Sequence, residues 1–236
     1  MLQQFNEDIW FDEFDLFMPG GIHFRGRMTL IRIRSGELMM HSPIPISDEL
    51  ADEIAKIGEV QHIVAPCQFH HLHLPGAIER YPSARVYGAQ GLDSKRKDIN
   101  FDEMLSNKAP QAWADDFEQL TIEGVPHINE VVFFHKPTQT LLVTDLFFNI
   151  YEVANWRTKF LFRMVGAWMK PAQSKLWRML AKDKKAAGNS VRQMLNWNFT
   201  TVLMAHGIPI TENAKQEVEK ALFWMLKFSS PKQIEA

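Results

Sequence analysis

The chain is predicted to adopt an α+β fold, on three observations. Blocks of period-two alternation are separated by helical segments, and the apolar period shifts towards 3.6 for a long stretch after residue 155. Three of the strand-like segments also end in chemically loaded residues: a histidine cluster, a carboxylate and a His-Gly pair. With 236 residues, 46% apolar and 23% charged, the chain has a globular composition and enough length for a large core. Without internal repeats or a long Pro/Gly-rich linker, one domain over 1–236 is the expectation.

Taken in order, MTLIRIRSGELMMHSP alternates apolar and polar residues around a turn at Ser35-Gly36 and predicts two antiparallel strands. Ser47 is placed to cap a helix through SDELADEIAKIG, with acidic residues in its first turn, Gly58 at its end and Leu50, Ile54 and Ile57 as the buried stripe. VQHIVAP is a short apolar strand that runs into CQFHHLHLPGA; a short helix near Pro75 to Tyr81 and a strand at ARVYGA follow. EQLTIEGV and NEVVFFHKPTQTLLVTDLFFN predict strands with a hairpin turn at Lys136 to Gln139, and Asp145 stands where that run stops. About 155–195 is helical, FTTVLMAHGIP is a strand ending at His206-Gly207, and ENAKQEVEKALFWML is the last helix.

Composition excludes several classes. A net charge of −2 gives no overall attraction to nucleic acid or membranes, and no partner of the nucleic-acid class is expected. The single cysteine, Cys67, rules out an intramolecular disulfide framework and suits a reducing compartment, so a cytoplasmic protein is the expectation. The acidic start MLQQFNEDIWFDEFDLF lacks the basic-then-apolar pattern of an export signal, and no apolar run reaches the ~20 residues of a membrane-spanning helix. No GKS/T or GxGxxG context supports a nucleotide site.

Histidine, aspartate and histidine at successive strand ends suit a site that rigid strands aim into a shared cleft. Each has a plain structural explanation as well. Asp145 can cap a turn, Gly207 can mark a positive-φ turn, and Cys67 at the end of an apolar strand is expected to pack inertly.

In order and spacing these elements resemble the metallo-β-lactamase-like hydrolase superfamily, across most of the chain. LMMHSP matches its early strand, with His41 where an acidic residue usually ends it. IVAPCQFHHLHLPGA matches the histidine-rich loop, VPHINEVVFF the next loop and strand, LLVTDLFF the Asp strand and VLMAHGIP the His-Gly strand. The chain also resembles a divergent branch of that superfamily, of uncharacterised function, whose members share HSP, HH, NEVVFFH, TDL and AHG elements. The resemblance implies an αββα sandwich with a helical insertion before the last strand, and metal ligands at His70, His73, Asp145 and His206. His41, His71 and Glu130 are supporting or substitute groups, and Asp145 carries the catalytic role.

The departures from the superfamily's His-x-His-x-Asp-His motif are informative. Gln68 replaces the first histidine, and Leu72 replaces the aspartate that serves a second ion. A later histidine position falls on Pro126, with His127 displaced by one. The expected centre therefore holds one Zn or Fe ion, and its reaction is hydrolysis of an ester, lactone, thioester or phosphoester through a metal-activated water. The alternative is a binding protein that has lost its metals. Between Arg157 and Arg192 lie ten Lys or Arg residues and one acid, Asp183, interleaved with Phe160, Phe162, Trp168 and Trp177. This segment predicts a preference for an anionic small-molecule substrate or a lipid headgroup, with membrane-surface contact through 157–192; otherwise it is ordinary helical cover with a solvated basic face.

Overall fold

Alternating side chains near the N-terminus build a long hairpin at the start of the first sheet. The computed structural model describes residues 1–230. After a short strand β1 (Gln3–Gln4), β2 (Ile9–Met18) and β3 (Ile22–Arg32) pair antiparallel along their whole length. β2 lies outside the strands expected from sequence, because in IWFDEFDLFM the adjacent Asp12 and Glu13 and the run Ile9-Trp10-Phe11 break the period-two pattern. The sheet continues through β4 (Leu38–His41), α1 (Asp48–Ala55), β5 (Val60–Ala65), α2 (Leu74–Arg80), β6 (Arg85–Gly88), α3 (Leu92–Lys95) and β7 (Glu103–Met104). Its seven strands lie in chain order, β4 to β7 mutually parallel because helices carry the crossovers.

The second sheet holds β8 (Phe117–Thr121), β9 (Val131–His135) and β10 (Thr140–Val143), the last two joined by the predicted hairpin. The chain then leaves through β11 (Phe148–Asn149), α4 (Trp156–Met164), β12 (Pro171–Ala172), α5 (Lys175–Leu180) and α6 (Lys184–Met194). It returns in β13 (Thr201–Met204), parallel to β10, and finishes in α7 (Ala214–Leu226). The expected helical stretch is thus three helices with β12 between the first two. Gly166 at φ 76° follows α4, and Pro171, which has no N–H to donate, opens β12. Side chains of Asn155, Ser174 and Asp183 cap the three N-termini.

The sheets pack face to face through Ile31, Met39, Val64 and Tyr87 on one side and Phe117, Phe133, Leu142 and Leu203 on the other. On the outer faces, α1 and α2 cover the first sheet with Leu50, Ile54, Leu74 and Ala77, while α6 and α7 cover the second with Val191, Met194, Val218 and Leu222. The result is the αββα sandwich that the resemblance implied. Parallel pairing of β4 with β5 and of β10 with β13 brings four carboxyl ends to one edge of the sandwich.

Two stability measurements follow from this packing. A Cβ on Gly188 of α6 would stand 2.4 Å from the Met225 carbonyl oxygen and 2.9 Å from the Ser229 amide nitrogen, so G188A should cost about 1–3 kcal/mol in urea unfolding. His135 is buried at the end of β9 beside Thr138, and burial lowers its pKa to about 4 against the pull of Asp8 and Asp116. Between pH 6.5 and about 4 the unfolded chain takes up a proton that the folded chain refuses, so stability falls with pH across that window. H135Q should flatten the fall by one proton in pH-dependent denaturation.

Candidate metal centre

The loop after β5 is stitched down before it reaches its histidines. The Pro66 carbonyl accepts the Val131 amide at 2.8 Å, and the Gln68 amide donates to the Ile128 carbonyl at 2.8 Å. The Gln68 side-chain nitrogen donates to the carbonyls of Gln90 and Pro126, both at 3.1 Å. A residue standing where the resemblance expects a ligand therefore ties three loops together. Leu72, at the other departure, points out and is 61% exposed. Neither side chain joins the group around Asp145.

Asp145, two residues beyond β10, is where the groups converge. Its Oδ2 lies 3.3 Å from the Cys67 Sγ and 3.4 Å from the His70 Nε2, and its Oδ1 lies 3.6 Å from the His206 Nε2. Ligand atoms of Cys67, His70 and Asp145 all fall within 4.8 Å of one another, an arrangement able to hold a metal ion. A tetrahedral ion with bonds of about 2.0–2.3 Å separates its ligands by roughly 3.3–3.8 Å, the range these contacts occupy. The rings of His70 and His206 are 5.2 Å apart.

The far nitrogen of each imidazole is held from behind. The His206 Nδ1 donates to the Arg25 carbonyl at 2.8 Å, and the His70 Nδ1 meets the Ser42 hydroxyl. Such contacts fix ring orientation and aim both Nε2 atoms at Asp145. Ser42 has a φ of 58°, in the left-handed region, and its amide is anchored on the Val64 carbonyl at 2.9 Å. Burial, and next the nearby His70, lower the His206 pKa to about 4, outweighing Asp145 and the Arg25 carbonyl. His206 is therefore neutral with its proton on Nδ1, and its Nε2 presents a lone pair to a carboxylate oxygen. For Asp145 itself, burial pushes the pKa up, but His70 first, and then the Cys67 thiol, hold it down to about 2. The Cys67 thiol is fully buried, and burial together with Asp145 and Glu130 raises its pKa well above the usual value.

The remaining predicted residues surround this group in different ways. Glu130, just before β9, lies behind Asp145: its carboxylate accepts the Thr144 amide at 2.6 Å and the Asp145 amide at 3.0 Å. Burial and the Asp145 charge raise its pKa to about 8 despite those two donors. His41 at the end of β4 and His73 at the start of α2 each have a buried Nε2 with no hydrogen-bond partner. Burial and then the neighbouring His70 lower both pKa values, His41 to about 3. The His73 ring meets Phe14 edge-on at 4.9 Å, and neither histidine pairs with Asp145. His71 turns away: Arg96 donates to its Nδ1 and to its carbonyl, both at 2.9 Å. Cys67 and Ser42 are the members that sequence reasoning passed over, although Cys67 shares the strand-end placement that singled out Asp145 and His206.

Beside His206 opens a cavity of about 620 Å³ between the β2–β3 hairpin and the loops after β11 and β13, lined among others by Phe24, Arg25, Arg27, Ile150, Tyr151 and Gly207. Among its charged groups Glu13 pairs with Arg25 and Arg27, the Asp15 carboxylate meets the His23 Nε2 at 2.8 Å, and Glu152 adds a further carboxylate. Because Gln offers one acceptor where Glu130 satisfies two buried amides, E130Q should cost about 1–3 kcal/mol. Hydrogen exchange at Thr144 and Asp145 should accelerate with it.

Comparison with known proteins adds two findings. The fold is similar to that of TMB-1, with 10% identity and a TM-score of 0.68, covering 96% of this chain and 97% of that one. It is similar to the metallo-β-lactamase from Pontibacter korlensis (10%, TM-score 0.65, 96% and 98%) and to FIM-1 from Pseudomonas aeruginosa in its mono-zinc form (11%, TM-score 0.63, 96% and 95%). No curated protein matches the chain. A family model described as "Domain of unknown function (DUF4336)" matches residues 9–159, from the start of β2 to within α4. The chain therefore belongs to the DUF4336 family, on a metallo-β-lactamase-like fold.

Proposed function

We propose that the chain is a metal-dependent hydrolase with a single divalent ion, Zn or Fe, held by His70, Asp145 and His206, which leaves a fourth position for water, with the Cys67 thiol beside it. The observation that carries this reading is the His206 Nε2, which faces the Asp145 Oδ1 at 3.6 Å while its Nδ1 is committed to the Arg25 carbonyl. A lone pair facing a carboxylate in a buried site is unfavourable alone and favourable around a shared cation. His73 and His41, with unpartnered buried nitrogens beside His70, are reserve donors in this reading.

When bound, a divalent ion supplies Lewis acidity, the property that makes water nucleophilic near neutral pH. The chain's own groups do the positioning. Ser42 and the Arg25 carbonyl fix the two imidazoles, and Glu130 fixes the loop that carries Asp145. Asp145 would orient the attacking water; the cavity, which meets the site through Phe24, Arg25 and Gly207 and not through the donors themselves, is the space in which a substrate would sit. Esters, lactones, thioesters and phosphoesters all suit this chemistry. The cavity lining carries Glu13, Asp15 and Glu152 against Arg25 and Arg27, so any preference for anionic substrates rests on the basic segment outside it.

Elemental analysis after incubation with Zn²⁺ or Fe²⁺ should give about one ion per chain. D145A and H206A should abolish uptake while keeping a native circular dichroism spectrum, and C67A should weaken it if the thiol ligates. Turnover on a panel of the four substrate classes should vanish with chelator and return with metal. A stoichiometry near zero, or turnover that survives both D145A and H206A, overturns the proposal. The chain would then be a binding protein that has lost its metals, the reading that Gln68 and Leu72 favour.

A further inference from the structure

We propose that the exposed face of α4 and α5, built by Trp156, Phe160, Met164, Leu176 and Met179 within a field of Lys and Arg, docks on an anionic lipid surface. Trp156, Phe160 and Met164 recur every four residues and so share one face of α4, with exposures of 71%, 60% and 59%. The opposite face is buried through Thr158 and Phe162. On α5, Leu176 and Met179 are 57% and 79% exposed while Trp177 is buried. Among the described residues, seven of the fifteen exposed large apolar side chains fall between Tyr151 and Met179, a concentration that a solvated face does not need.

Charge selects the occupant. Residues 156–185 carry nine Lys or Arg side chains and one acid, Asp183, whose carboxylate is already engaged by the Lys185 and Ala186 amides at 2.9 Å. Apolar groups between cations match the boundary of an anionic bilayer, where side chains enter the acyl region and cations meet headgroups. A two-fold pairing of this face with itself would set cations against cations. A nucleic-acid strand would want flat rings for stacking, and three of the five apolar groups are Met or Leu.

The β2–β3 hairpin supports the same face. Its tip is pinned to the start of α4 by the His23 amide on the Thr158 hydroxyl at 2.8 Å and the Asn155 side chain on the Gly21 carbonyl at 3.0 Å. It leaves Phe17 73% exposed and Met18 47% exposed. On the inner side, Phe162 meets Phe24 edge-on at 5.4 Å, and Phe24 meets His206 at 5.1 Å. The docking face is thus two aromatic rings from the candidate centre. Among the described residues no helix is long and apolar enough to cross a membrane, so the contact is with the surface.

Co-sedimentation of the full chain with phosphatidylcholine vesicles, with and without about 30% phosphatidylglycerol, tests this. Partition should be at least about tenfold stronger on the anionic vesicles and should collapse in about 0.5 M NaCl. Replacing Trp156, Phe160 and Met164 by Ser should weaken it about tenfold or more without changing the melting temperature. R163E/K170E should remove the preference for anionic lipid. Brominated acyl chains should quench tryptophan emission in the wild type and much less in W156F, a readout independent of the triple variant's folding. Equal partition to both vesicles, no partition, or binding unaltered by either set of substitutions overturns the proposal. So does a dimer in sedimentation velocity that the serine variant dissociates, or single-stranded oligonucleotide binding that competes away the vesicles.

Discussion

One buried carboxylate organises this molecule's edge. Asp145 sits where water is largely excluded, and a lone carboxylate there would be strongly penalised. Its stability in the charged form comes from the Cys67 thiol and the His70 imidazole, both on the loop after β5, while His206 is brought to its other oxygen from the end of β13. Every part of that delivery is itself held: Pro66 against Val131, Ser42 against Val64, and His206 against the Arg25 carbonyl. The hydrogen bonds that shape the site therefore reach into both sheets. The site and the sandwich are parts of one construction.

Glu130 shows how this arrangement differs from a simple list of ligands. Expected from sequence as a supporting or substitute group, it accepts the amides of Thr144 and Asp145 and so fixes where the acidic loop leaves β10. Two carboxylates this close would repel each other, and the amides between them take up part of that repulsion. His71 is a similar case. The pair His70-His71 is ambiguous in sequence, but alternation of direction in the loop sends one ring to Asp145 and the other to Arg96.

Much of this was legible in the sequence because periodicity and turn residues are local signals. The hairpin at Lys136 to Gln139, the Ser47 cap and the strand leading to His206 all depend on neighbours within a few residues. Asp145 and His206 were readable as strand-end residues, but their facing each other was not, since it depends on the pairing of β10 with β13. What escaped was long-range or two-sided. The strand Ile9–Met18 carries Asp12, Glu13 and Asp15 and looks like an acidic leader until β3 supplies its partner. Cys67 resembles an ordinary packing residue until the carboxylate arrives from 78 positions away. The breaks in the helical stretch need a tertiary reason as well, because β12 exists only by pairing with β11.

The parallel register of β10 and β13, with Val143 beside Met204, makes a jaw whose two tips are Asp145 and His206. Between those tips the chain makes an excursion that includes α4, α5 and α6, yet the register is set by the strands and not by what the excursion contains. The excursion is not of one kind along its length. Asn149 at its start is bonded to the loop that carries His206, and α6 at its end belongs to the core, so both ends brace the jaw. Only the middle, α4 and α5, presents large apolar side chains to the outside, and it alone is free of the task of holding the tips at their spacing.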